Sequence, residues 1–171
     1  MAGIVYELIE VLKEEQECYE GLNTLASYTQ TAVINKNIEF LQEVVKTEEE
    51  FIGRINYLDN QREGLMKDIA LVTGMNGKDI TVSKIIEKIG EGSEAGKTLA
   101  ELRESIKGIV DEIKVKTELN KQLLSDSLEL VDFMVNAIGS TKGYVHVGNY
   151  NGPGQLDMNV ERQQSIFDKK Q

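Results

Sequence analysis

The chain has 171 residues and a net charge of −10, with one proline, one cysteine, one histidine and no tryptophan. That length supports one domain with a real core, and the acidity speaks against a nucleic-acid backbone or an anionic membrane surface as the main partner. A lone cysteine excludes an internal disulfide.

The amino terminus, MAGIVYELIEVLKEEQ, has no basic leader and no apolar run of membrane-spanning length. It predicts a cytoplasmic protein without stable membrane insertion. Ile4, Leu8, Val11, Cys18, Leu22, Leu25 and Ala32 follow the alternating four-three spacing of a helix seam, so a first long helix is expected to about Ile34. Cys18 falls on that apolar stripe and reads as a buried structural thiol. Asn35-Lys36-Asn37 is a turn with an asparagine cap. A second helix follows on Leu41, Val44, Phe51, Ile55, Leu58, Leu65, Ile69 and Val72, and Gly74 and Gly77 stop it. Two of its seam positions are charged, Glu48 and Arg62. They stand about 21 Å apart along the axis and cannot pair with each other, so each needs a partner on another helix or an open edge. A register-fixing polar contact in a bundle is the expected role.

VSKIIEKI (82–89) has helical spacing, and the next stretch, GEGSEAGKTL (90–99), ends like a nucleotide-binding P-loop at Gly96-Lys97-Thr98. A P-loop closes consecutive backbone N–H groups round a phosphate, which fixes its glycine spacing. The first glycine belongs at position 91, where Glu91 stands; Gly90 and Gly92 are each off by one. No buried strand precedes the loop, and GIVD (108–111) is too short an apolar run to present a magnesium-binding aspartate. The stretch reads instead as a turn in which Ser93 caps the next helix and Glu94 occupies its first turn.

A third long helix is marked by Leu99, Leu102, Ile106, Ile109 and Ile113, and Gly139-Ser140 is expected to close it near Ile138. Its seam turns polar at Lys116 and Asn120. Beyond these lie two apolar stripes, one of Leu123, Leu130, Met134 and Ala137, the other of Leu124, Leu128, Val131, Val135 and Ile138. A helix with one neighbour needs a single stripe. The pattern supports two readings equally: this end is enclosed on nearly all sides, or it presents a groove for a partner helix, with Phe133 and Met134 able to adapt.

Residues 1–138 carry 15 basic and 26 acidic side chains, whereas the segment from 139 onward is near neutral. This predicts a helical domain over 1–138 and a flexible tail over 139–171, rich in glycine, asparagine and glutamine. Val160, Ile166 and Phe167 form a short amphipathic helix only against a surface, and the extra stripe of the third helix is the obvious one. The architecture predicted is all-α: an antiparallel bundle of three long coiled-coil-like helices plus one short helix, with the tail attached.

Chemistry is scarce. His146 and Cys18 are the only histidine and cysteine, so no zinc site of ordinary ligand type assembles, and no Glu-x-x-His pair is present for a di-iron site. No catalytic residue, metal or cofactor is expected, and the chain reads as a non-enzyme.

The order of several short patterns resembles the FlgN-like family of flagellar type III export chaperones across essentially the whole chain. They are Glu15-x-x-x-Tyr19-x-x-Leu22-x-x-Leu25, Ile38-x-x-Leu41 leading to Glu48-Glu49, Leu58-x-x-x-Arg62-x-x-Leu65, Asn120-x-x-Leu123-Leu124, and Tyr150-Asn-Gly-Pro-Gly154. Thr117 stands where family members often carry a second asparagine. The resemblance implies a cytoplasmic chaperone that binds the C-terminal amphipathic helices of hook-filament junction (hook-associated) proteins, prevents premature assembly and delivers them to the export gate. The expected cargo surface is Leu124, Leu128, Val131, Met134, Val135 and Ile138; Tyr144, Tyr150, Ile166 and Phe167 are the tail candidates for masking or export-gate contact. The other reading is a structural coiled-coil protein that homo-oligomerises through the apolar end of the third helix. Monomer and homodimer both stay open.

Overall fold

The computed structural model describes residues 2–75 and 80–141, with side chains over 3–75 and 80–138. Among them are four helices and no strand: α1 (Ala2–Ile34), α2 (Ile38–Thr73), α3 (Val82–Ile89) and α4 (Glu94–Thr141). The chain divides into two compact units, Met1–Phe133 and Met134–Gln171.

The helix ends follow from local chemistry. The side chain of Asn37 accepts the N–H of Phe40 at 3.0 Å and caps α2. Lys36, at φ 53°, takes the left-handed conformation that turns the chain between α1 and α2. At the far end Gly74, at φ 69°, donates its N–H to the carbonyl of Ala70, the left-handed stop that glycine adopts without strain. Thr81 caps α3 through the N–H of Lys84. Only the end of α4 departs from expectation. It runs through Gly139 and Ser140 to Thr141, because glycine inside a helix costs only about 1 kcal/mol relative to alanine and ends no helix without a left-handed residue.

Within the first unit, α1 and α2 form the closely packed pair. Their contacts run in opposite senses along the two helices: Thr29 with Glu48, Gly21 with Phe51, Glu15 with Arg62. The Phe51 ring sits so close that a Cβ on Gly21 would stand 2.5 Å from it. The core gathers Val5, Leu8, Ile9 and Leu12 of α1, Ile69 of α2, Ile85 and Ile86 of α3, and Leu99 and Leu102 of α4.

The buried set differs from the predicted seams in two places. Along α1 a second line, including Val5, Ile9, Leu12, Ala26 and Val33, is buried beside the first, because α1 meets both α2 and α4. On α2, Val72 is exposed while Ile69 and Ala70 are buried. A straight helix drifts about 20° per heptad from a strict seven-residue repeat, and four heptads from Val44 that drift moves position 72 off the packed side.

Candidate functional site

Two polar residues of α4 fasten it to α1. Lys116 Nζ donates to the carbonyl of Asn23 at 3.1 Å, and Asn120 Nδ2 donates to the carbonyl of Ala26 at 2.7 Å. The Asn23 side chain in turn donates to Glu112 at 2.8 Å. Numbering rises in the same sense on both helices here, and Ala26 and Asn120 are 94 positions apart. With equal rise per residue, α4 therefore passes the end of α1, at Ile34, near residue 128.

This offset explains the exposure that follows. Within the first unit, Leu124 and Leu130 are open to solvent, and Leu128, Val131 and Phe133 are 66%, 54% and 70% exposed. Met134, Val135 and Ile138, in the second unit, are likewise exposed. Leu130 of one stripe and Leu124, Leu128 and Val131 of the other are thus open among the described residues. Tyr144, Tyr150, Ile166 and Phe167 lie outside the described residues, as does the whole tail beyond Thr141.

The P-loop-like stretch has a structural explanation. Ser93 Oγ accepts the N–H of Gly96 at 3.0 Å and donates to the Gly90 carbonyl at 2.7 Å, the expected cap. A Cβ on Gly96 would collide with that same carbonyl oxygen, so the glycine answers to a close backbone approach within the turn. Thr98 donates its hydroxyl to the Glu94 carbonyl at 3.0 Å, and its oxygen sits within its own helix.

Both charged seam residues of α2 find partners on α1. Glu48 accepts from Thr29 at 3.0 Å, and Arg62 reaches Glu15 at 3.2 Å while also pairing with Asp59. Glu15, at the seam position between Val11 and Cys18, is a buried carboxylate, its side chain only 1% exposed and its Oε1 without a hydrogen-bond partner among the described residues. Burial pushes its carboxyl above the usual range, Arg62 opposes that shift, and Asp59 adds to it. The nearby Tyr19 hydroxyl is also raised, first by burial and then by Glu15. Burial raises the Cys18 thiol too, which suits a structural cysteine. Among the described residues no group of histidine, cysteine and carboxylate side chains is arranged to hold a metal.

A model of the FlgN protein family matches residues 1–157. The chain belongs to the FlgN family. Its members are chaperones of bacterial flagellum biogenesis, and the long-helix architecture suits that membership. No described helix of this FlgN-family protein is long and apolar enough to cross a membrane. Neither a curated protein nor a solved structure matches the chain.

Proposed function

We propose that this FlgN-family protein is a cytoplasmic, non-enzymatic export chaperone for hook-filament junction proteins. It binds their C-terminal amphipathic helices, holds them back from assembly and brings them to the type III export gate. The reading takes α1, α2 and α4 as an antiparallel, coiled-coil-like bundle over 1–138, with 139–171 as a tail linked to cargo or gate binding. One observation carries it: large apolar side chains stand exposed on α4 past its Asn120 anchor, more than the first unit's own packing uses. A helix-in-groove partner needs such a line of anchors at helical spacing, and needs no catalytic group.

Cargo docks along Leu124, Leu128 and Val131, continuing over Met134, Val135 and Ile138. The test is calorimetric titration with a peptide from the carboxyl end of a junction protein, repeated with Val131→Asp. That side chain is 54% exposed, so the variant keeps its fold. Binding weakens by about tenfold or more when the charge enters the apolar contact, equivalent to about 1.4 kcal/mol. Unchanged binding places the cargo elsewhere. Removing residues 155–171 leaves affinity equal or higher if the tail competes with cargo, and abolishes it if the tail is the clasp.

A further inference from the structure

The three long helices stand like three corners of a square. On α1, at about 100° per residue, the positions that meet α2 (Glu15, Gly21, Thr29) and those that meet α4 (Asn23, Ala26) point about 100° apart. At the end that holds Val5 to Leu12, all four helices share one core, to which α3 adds Ile85 and Ile86. With eight residues α3 is about 12 Å long, so it serves that end alone. Past it, no described helix stands at the fourth corner, opposite α1.

Both walls of that corner are apolar. Ile38, Leu41, Val45 and Ile52 of α2 lie about 90° round the helix from Glu48, Phe51 and Arg62, which meet α1. Leu124, Leu128 and Val131 of α4 lie about 90° from Glu112, Lys116 and Asn120, which also meet α1. The rotation has the same residue sense on two helices of opposite direction, so both lines face the corner between them. Each leads back to the shared core, through Met66 on α2 and through Ile106 and Leu99 on α4. The heights agree as well. Arg62 is level with Glu15 and Asn120 with Ala26; these registers set Val45 opposite Leu124, Leu41 opposite Leu128 and Ile38 opposite Val131, to within about 3 Å. Five of these six are exposed and Leu41 is partly covered.

We propose that one helix of the cargo protein lies in this groove between α2 and α4 and completes a four-helix arrangement, touching both walls. This rests on the cargo function proposed above, whose α4 surface is one wall, and adds α2 as the other. Such a helix is apolar at i, i+3, i+4 and i+7 over about fifteen residues, the length from Ile38 to Ile52. Its charge matters little, since the rim of the α2 wall carries Lys46 beside Glu49.

A fluorescein-labelled peptide from the carboxyl end of a junction protein is titrated with the full chain by anisotropy. Val45→Asp and Val131→Asp each weaken it by about tenfold or more, while Val115→Asp, 72% exposed on the far side of α4, leaves it unchanged. Raising salt from about 50 to 300 mM alters affinity less than about twofold. A photo-crosslinking benzoylphenylalanine at position 45 captures the same peptide as one at position 128, and one at position 57, on another side of α2, does not. If Val45→Asp disturbs helicity, the capture decides. Loss in Val131→Asp with full binding in a folded Val45→Asp and no capture at position 45 overturns the two-walled groove and leaves cargo on α4 alone. No loss in either variant and no capture at either position overturns the groove and the cargo surface together. Light scattering that finds a dimer split by Val45→Asp also overturns the groove, because its occupant is then a second copy.

Discussion

Replacing Arg62 by methionine removes the cation beside a carboxylate that is almost wholly buried. Breaking one partner of a buried ion pair costs about 3–5 kcal/mol, because the remaining charge is left uncompensated. Arg62 is 32% exposed and shares itself with Asp59, so water already screens part of the attraction, and about 2 kcal/mol is the expected loss near neutral pH. The sign with pH follows from the direction of the Glu15 shift. Burial raises its carboxyl in the folded state, so its contribution to stability is fully present below the unfolded value and is lost as pH rises through the folded one. Without Arg62 the folded value rises further. The deficit of Arg62→Met is therefore largest near neutrality and shrinks towards about pH 4, where Glu15 is protonated with or without its partner. Urea unfolding followed by far-ultraviolet circular dichroism at both pH values reads it directly, and adding Glu15→Met should restore most of the loss. A deficit that is equal at the two pH values, or absent near neutrality, would refute the reasoning.

Three other outcomes are expected. Asn120→Ala loses the bond to the Ala26 carbonyl but also removes a buried oxygen without a partner, so its net cost is about 1 kcal/mol in urea unfolding. Gly96→Ala destabilises by about 1–3 kcal/mol despite alanine's better helix propensity, because its methyl meets the Gly90 carbonyl oxygen, and magnesium ATP shifts the melting temperature of neither protein. Cys18 reacts with Ellman's reagent slowly in the folded chain and rapidly in urea, since it is buried and its thiol is shifted upward.

The helix ends were legible because each rests on local chemistry: Asn37, Gly74, Thr81 and Ser93 act within three or four residues of their own positions. Glu48 and Arg62 were legible as charges in need of partners on another helix, but the partners were not, since Thr29 and Glu15 are fixed only when α1 and α2 take their register. Glu15 sits among Glu14 and Glu17 in an acidic run, but it alone of the three takes the seam position between Val11 and Cys18, so the same four-three spacing marks it for burial. The seam of α2 was misplaced at Val72 by treating a straight helix as an exact heptad repeat. For the end of α4, periodicity gave two stripes and left open whether both were covered. That depended on how far α4 outruns α1, which is set by the pairing of Asn120 with Ala26 across 94 positions. An exposed apolar line on α2 was hidden for a related reason. Leu41 was grouped with the α1-facing seam, although it lies on the neighbouring line with Ile38, Val45 and Ile52, which recur at seven-residue intervals.

The central claim is that the open apolar end of α4 is where cargo binds, and amide hydrogen exchange tests it most directly. The chaperone is exchanged alone and then saturated with a peptide from the carboxyl end of a junction protein, and peptic fragments spanning 120–138 are compared with those of α1 and α3. The account predicts marked slowing in the 124–138 region, as its amides become covered and its helix is held. Saturating cargo that leaves 124–138 exchanging as in the free protein, with protection appearing on another helix, would contradict it.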